Sequence, residues 1–181
     1  KFNLPDQYLL NVGTIESRKN LNALVQAAAL MENDLPIIVV GKKTKYYEFV
    51  KSEIERLKIP SDRFIFFEGI SIDELPALYQ MAELFVYPSI FEGFGIPIIE
   101  ALYSNTPVIT TADGCFPEAG GPSSKYVDTS SPEILAKAID ALLENAKEQS
   151  IMKRNGADYV QKFNSKLLTQ QLISTYEELK A

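Results

Sequence analysis

The stretch YLLNVGTIESRKNLNALVQAAALMENDLPIIVV, Tyr8 to Val40, holds one complete strand–helix–strand unit. YLLNV, Tyr8 to Val12, is a short apolar run closed by Gly13. From Asn20 to Met31, Leu21, Leu24, Val25 and Ala28 recur at i, i+3, i+4 and i+7, the spacing that lines one face of a helix. PIIVV, Pro36 to Val40, is apolar at every position after the proline. Both faces of that strand must therefore be covered, as they are inside a parallel sheet. A helix between two such strands is the crossover a parallel pair requires.

The same alternation continues outward. Tyr46 to Leu57 places Phe49, Val50, Ile54 and Leu57 on one helical face, and Phe64 to Phe67 is the next strand. Ser71 and Glu74 stand at capping-box spacing before a helix running to about Met81. Pro76 is expected to bend that helix or shift its start. Leu84 to Tyr87 is a strand stopped by Pro88, followed by a short helix from Pro97 to Tyr103 and a strand from Val108 to Thr110. Lys125 to Val127 supplies a sixth strand. Ser130 and Glu133, with Pro132 in the first turn, predict a helix reaching Asn145. Two helical stretches close the chain, with Gly156 interrupting the first and Leu168, Leu172 and Tyr176 spaced along the second. The pattern predicts an α/β fold in a single domain over residues 1–181: a doubly wound, Rossmann-like parallel sheet of about six strands with helices on both faces. Ligands of such sheets lie outside the carboxyl ends of the strands. That selects the loops after Val12, Val40, Phe67, Tyr87 and Thr110.

Composition narrows the chemistry. The 181 residues carry 18 Lys and Arg against 24 Asp and Glu, and no stripe of basic residues, which argues against nucleic acid as a partner. No apolar run approaches the roughly 18 residues of a membrane span. The single cysteine, Cys115, cannot close an intrachain disulfide. Histidine is absent, which excludes from this chain an imidazole base, a Ser-His-Asp triad and a histidine-ligated zinc. There is no G-x-x-x-x-G-K-[ST]. The one G-x-G, Gly93-Phe94-Gly95, follows the fourth strand and has Ile98 where a dinucleotide fingerprint has its third glycine.

The selected loops carry two constellations. Gly13-Thr14-Ile15-Glu16-Ser17-Arg18-Lys19-Asn20 sets adjacent cations just before a helix, at the carboxyl end of a strand, where a phosphate would meet side-chain charge and helix N–H groups together. The plainer alternative is a solvated Arg-Lys pair. Pro88 to Ala101 is denser. Gly93 and Gly95 permit close backbone approach and positive φ, and the N–H groups of residues 93–96 at a helix start form a natural diphosphate cradle. Glu92 precedes that helix and Glu100 lies a turn inside it. This separation suits two ends of an extended, hydroxyl-bearing ligand better than an acid–base pair on one bond. The alternative is a tight turn followed by a dipole-favoured glutamate.

Five segments, GTIESRKN (13–20), VVGKK (39–43), FFEGIS (66–71), YPSIFEGFGIPIIEALYSNTPVIT (87–110) and FPEAGG (116–121), occur in an order that closely resembles the C-terminal, donor-binding half of retaining glycosyltransferases of the two-Rossmann (GT-B) architecture, glycosyltransferase family four, group 1. The resemblance covers nearly the whole chain, and the E-x7-E element Glu92…Glu100 is its most specific part. It implies that Arg18 and Lys19 bind the donor diphosphate and neutralise the leaving group. Glu92 would hold hydroxyls of the transferred sugar, with peptide groups of Gly93, Phe94, Gly95 and Ile96 on phosphate and sugar. Glu100 would take the ribose hydroxyls, and Ile70 and Ser71 would lie beside the base. Gly13, Thr14 and Lys42 would complete the donor site. Many family members carry Arg where this chain has Thr14, and the turn after the second glutamate's helix, often glycine, is Asn105.

The resemblance further implies a nucleotide diphosphate sugar, GDP- or UDP-linked, as substrate, with neither cofactor nor metal. It implies an N-terminal acceptor-binding domain that this chain lacks. It also implies a lipid-linked or polysaccharide acceptor, as in cell-surface polysaccharide or glycolipid synthesis, and a cytoplasmic location, for the full-length enzyme at the inner face of the membrane. On this reading the full-length protein is a hexosyltransferase, with a mannosyltransferase the favoured kind, and the isolated domain is inactive. Two other classes fit the same architecture: a nucleotide-binding module without transfer activity, and a sugar-nucleotide epimerase.

Overall fold

The computed structural model describes residue 2 and residues 4–180. Lys1, Asn3 and Ala181 lie outside the described residues, so the opening of the chain is covered only in part. Six strands, β1 (Leu9–Val12), β2 (Ile37–Val40), β3 (Phe64–Phe67), β4 (Leu84–Tyr87), β5 (Val108–Thr111) and β6 (Lys125–Val127), form one sheet in the order β3-β2-β1-β4-β5-β6, and every pair is parallel. Eight α-helices accompany them among the described residues: α1 (Leu21–Ala28), α2 (Tyr46–Arg56), α3 (Leu75–Met81), α4 (Ile96–Tyr103), α5 (Phe116–Gly120), α6 (Pro132–Leu143), α7 (Ala146–Val160) and α8 (Ser165–Glu178). This is the Rossmann-like arrangement expected.

Strand alternation sorts the core into two layers. Leu9, Ile37, Val39, Leu84, Val86 and Ile109 face α1, α2 and α6. Leu10, Ile38, Val40, Phe85, Tyr87 and Val108 face α3, α4, α5 and α7. The strand order reverses between β1 and β4, and there the ladder is short. Only Leu9↔Leu84 and Leu10↔Phe85 pair, and the buried Asn11 amide then donates to the Val86 carbonyl at 2.8 Å. Where two neighbouring strands send their chains to opposite sides, a crevice opens at their carboxyl ends.

Several local expectations change on inspection. The cap of α6 is Ser131, not Ser130: its hydroxyl accepts from the Ile134 N–H, whereas Ser130 binds Asp128 through both its N–H and its hydroxyl. The Ser71/Glu74 pair is half a capping box. The Glu74 carboxylate accepts from the Ser71 N–H at 3.1 Å, and the helix starts only at Leu75, which brings Pro76 into the first turn, where it is tolerated. Gly156 does not interrupt α7. It lies inside the helix, where a Cβ would stand 2.7 Å from Leu102 Cδ2, so the residue lets α7 approach α4. Helix α5 was not expected at all. The stripe Leu168, Leu172 and Tyr176 on α8 is exposed, and among the described residues α8 has no buried residue. Among the described residues no helix is long and apolar enough to cross a membrane.

Candidate functional site

Three loop features converge on the crevice between β1 and β4. After β1, a single 3-10 turn, Ser17–Lys19, ends at Asn20 in the left-handed region (φ 53°), a conformation asparagine adopts readily. After β4, Pro88 and Ser89 lead to Glu92. The two loops are tied together: the Arg18 carbonyl accepts from the Ile90 N–H at 2.8 Å and lies 3.1 Å from Ser89 Oγ. After β2, Gly41 passes so close to the first loop that a Cβ would lie 1.9 Å from the Gly13 carbonyl oxygen; only glycine fits.

At this junction stands a nearly buried ion pair. Lys19 Nζ is 2.5 Å from Glu92 Oε1, with the two side chains 14% and 9% exposed. Glu92 also accepts from the Ser89 hydroxyl (2.6 Å), the Tyr87 hydroxyl (2.9 Å) and Arg18 (3.0 Å). Lys19 donates a second bond to the Tyr87 oxygen at 2.9 Å. Arg18 is the more exposed cation and divides its guanidinium among Glu92, Glu16 and the Phe91 carbonyl. Burial alone would raise the Glu92 carboxyl, but the hydrogen bonds from Lys19, Ser89 and Tyr87 and the charge on Lys19 outweigh it and hold it below the usual carboxylate range. The Tyr87 phenol moves the opposite way: burial, then the charge on Glu92, push it far above its ordinary value. At neutral pH the cluster therefore holds an ionised carboxylate, an acceptor only, beside a neutral phenol.

The segment after Glu92 opens α4. Gly95, its N-cap, sits at φ 94°, a conformation reserved in practice for glycine. Pro97 in the first turn has no N–H to leave unpaired. Among the described residues the N–H groups of Gly93, Phe94, Gly95 and Ile96 have no protein acceptor, so the helix presents unsatisfied donors beside two cations. Gly93 departs from expectation. Its φ is not positive and a Cβ there would meet nothing, because the residue faces open space; the protein's own packing places no demand on it. Phe94 turns its ring onto Phe163, with centroids 5.4 Å apart, which anchors the loop by its side chain and leaves its peptide free.

Glu100 lies one turn into α4, half-buried, and accepts from the Tyr79 hydroxyl at 2.9 Å. It lines a cleft of about 320 Å³ between α3 and α4 with Ile72, Leu75, Tyr79 and Tyr103. Ile70 packs against the core at the edge of this region, and the Ser71 N–H is already taken by Glu74. Gly13 lies beside the Lys19 stem and gives it room. Thr14 sits at the Gly41 contact, short of the ion pair. Lys42 is not brought to the cluster: its ammonium is exposed with no partner among the described residues, and only its carbonyl engages, accepting from Ile15 N–H. Asn105 takes the left-handed turn expected of it (φ 58°). A cavity of about 500 Å³ lies next to the cluster rather than on it, lined by Asn20, Gln26, Asp113 and Asp128 with no cation.

Tyr79, Tyr87 and Ser89 were not anticipated from the sequence. The signal for Tyr87 was present: a tyrosine in a fully apolar strand must find a partner for its hydroxyl, and Glu92 lies just beyond it. Nothing in the spacing pointed to Tyr79, which meets Glu100 from another element.

The crevice at the sheet reversal thus brings together two cations, a free helix N-terminus and a carboxylate before α4, with a second carboxylate inside that helix. The chain belongs to the glycosyl transferases group 1 family, whose family model matches residues 1–159. It is 31% identical over 177 residues to the O-antigen chain mannosyltransferase B of Escherichia coli, a match covering 95% of this chain and 46% of that protein. Among solved structures, the C-terminal domain of the glycosyl transferase group 1 family protein LpcC from Francisella tularensis superposes with a TM-score of 0.75 at 25% identity, over 86% of this chain and 85% of that one. Anabaena HepE, solved in complex with UDP and glucose, shares the fold with a TM-score of 0.86 at 20% identity, over 96% of this chain and 49% of that one. The chain thus spans about half the length of the full-size relatives it matches.

Proposed function

We propose that this chain is a single donor-binding domain of a retaining glycosyltransferase, and that a preceding acceptor-binding half completes the active site. The observation that carries this reading is the junction of Arg18, Lys19 and Glu92 with the four unpaired N–H groups of residues 93–96. A nucleoside diphosphate satisfies all of them: its oxygens accept from Lys19, Arg18 and the start of α4, and its ribose reaches Glu100. Lys19 exchanges Glu92 for phosphate. The carboxylate so released, ionised and acceptor-only, takes hydroxyls of the transferred sugar. Gly93, unconstrained by its own fold, gives the ligand close backbone access. Ile70 and the segment at Ser71 flank the base, with Gly13, Thr14 and Lys42 at the periphery.

In the reaction the anomeric carbon gives up its bond to the diphosphate oxygen and gains one to an acceptor hydroxyl oxygen, with configuration retained. Negative charge grows on the leaving diphosphate, and preorganised cations and N–H groups stabilise it. No cofactor is needed for that charge, and the site is read as metal-free.

A GDP-sugar is the favoured donor and mannose the favoured sugar, on the strength of the E. coli mannosyltransferase relative; a UDP-sugar is the competing choice. The O-antigen chain in that relative's name supports a role in surface polysaccharide synthesis. The acceptor is read as lipid-linked or polysaccharide, and the full-length enzyme as acting at the cytoplasmic face of the membrane. The solvent-facing Ile90, Phe91 and Ile96 in the loop after β4 and at the start of α4 support a second domain covering this side. By itself the chain binds nucleotide and transfers negligibly. Calorimetry with GDP, UDP and ADP tests the binding. Transfer assays on the full-length protein, with the anomeric configuration of the product read by NMR, test the chemistry. Robust transfer by the 181 residues alone would contradict the proposal.

A further inference from the structure

Outside the Lys19–Glu92 cluster, a second buried phenol holds a second carboxylate. Tyr79, on α3, is 1% exposed, and its hydroxyl donates to Glu100 Oε2 at 2.9 Å. The residue is fixed at both ends: its ring meets Phe85 edge-on at 5.2 Å, and its backbone carbonyl accepts from the Thr106 hydroxyl at 2.6 Å. Phe85 in turn stacks on Tyr87, so one aromatic row backs both glutamates of the E-x7-E element. Burial, then the charge on Glu100, push the Tyr79 phenol far above its ordinary value, which keeps it a donor at neutral pH.

This hydrogen bond has a consequence for recognition. Among the described residues Tyr79 is the sole side-chain partner of the Glu100 carboxylate. Each carboxylate oxygen accepts two bonds, so the phenol fixes the orientation of the group without filling it. Oε1 keeps both acceptor positions and Oε2 keeps one. The cleft around Glu100 is otherwise largely apolar, with Ile72, Leu75 and Ile99 in its walls. A carboxylate held in one orientation by a rigid donor discriminates between a vicinal diol and its deoxy analogue; one free to rotate accepts whichever hydroxyl is offered.

We infer that Tyr79 is a positioning residue that sets the selectivity of this site for a ribonucleotide over a 2′-deoxyribonucleotide, by presenting Glu100 to the cis-diol. The inference rests on the reading of Glu100 as the ribose-binding group. It is tested by calorimetric titration of the chain with UDP against 2′-deoxy-UDP, or GDP against 2′-deoxy-GDP if guanine is the base bound. Wild type prefers the ribonucleotide by about tenfold, the scale of one hydrogen bond to a charged group. Tyr79→Phe keeps the ring and its contacts; it lowers ribonucleotide affinity about fivefold and barely changes deoxyribonucleotide affinity, so the ratio falls to about two. A purely structural role would weaken both ligands alike and leave the ratio unchanged, which overturns the inference. Tyr79→Met, apolar and without the hydroxyl, serves the same comparison if the phenylalanine variant melts below the assay temperature. Glu100→Gln separates the two levels. If it abolishes the preference while Tyr79→Phe retains it, the ribose reading stands and the role of Tyr79 falls. If wild type and Glu100→Gln both bind the two nucleotides equally, the ribose reading falls and takes the inference with it.

Discussion

Glu92→Gln removes the charge that neutralises Lys19 and Arg18 at the head of α4 while keeping the length of the side chain. The carboxylate accepts from Lys19, Ser89, Tyr87 and Arg18. An amide keeps one acceptor oxygen at the Oε1 position that Lys19, Ser89 and Tyr87 share, but it carries no charge for Lys19 and turns a donor toward Arg18. The substitution thereby abolishes the Lys19–Glu92 ion pair, whose side chains are 14% and 9% exposed. Removing one partner of a fully buried pair costs about 3–5 kcal/mol. The retained hydrogen bonds and the partial access of Lys19 to water reduce that to about 2 kcal/mol at pH 7. In a chain of this size that lowers the melting temperature by about 4–8 °C.

The pH dependence fixes the sign. Folding holds the Glu92 carboxyl below its ordinary value, so its contribution is present above the unfolded value of about 4.3 and is lost as pH falls through the folded one. The gap between wild type and variant is therefore wide at pH 7 and narrows on acidification. Thermal melts by far-UV circular dichroism at pH 7 and pH 4 measure it, since the chain has no tryptophan. No gap at pH 7, or the same gap at both pH values, would refute the reasoning. In binding, the variant also frees Lys19, so a bare nucleoside diphosphate binds at least as tightly as to wild type while the extra affinity from an attached sugar disappears.

Lys19→Ala removes the less exposed of the two cations in the cluster and weakens nucleoside diphosphate binding by about 10–100-fold in calorimetry; in the full-length protein it slows transfer by about 10²–10³. Tyr87→Phe deletes the phenol that bridges Lys19 and Glu92, costs about 1 kcal/mol and moves the acid limb of the stability curve to higher pH, because Glu92 loses a bond that favours its ionised form; melts across pH 3–6 would detect both. Gly41→Ala puts a Cβ 1.9 Å from the Gly13 carbonyl oxygen, a backbone atom that cannot yield cheaply, and destabilises the chain by about 3 kcal/mol in urea unfolding, with the Lys19 loop displaced.

The sheet was legible because β2, β3 and β4 are apolar on both faces and the crossovers through α1 and α2 carry helical stripes, so Tyr8–Val40 alone predicted parallel pairing. The placement of Arg18, Lys19, Glu92 and Glu100 at the carboxyl edge of the sheet was also legible, since a strand followed by a polar, glycine-bearing loop and a helix sets its loop there. What escaped depends on interactions between elements. Tyr79 reaches Glu100 from α3, and no local pattern records that meeting. Gly156 looked like a break because glycine is a poor helix former, yet packing against Leu102 decided the matter. The cap of α6 moved from Ser130 to Ser131 because Asp128 claimed the first serine. The α8 stripe promised a buried face, yet α8 has no buried residue.

The central claim is that the crevice between β1 and β4 is built for a nucleoside diphosphate. Calorimetric titration of the folded chain with GDP, UDP and ADP tests it most directly. The account predicts saturable binding of GDP or UDP at about micromolar to sub-millimolar Kd, with Lys19→Ala much weaker. No heat from any of the three at about millimolar concentration, with the chain shown folded by circular dichroism, would contradict it.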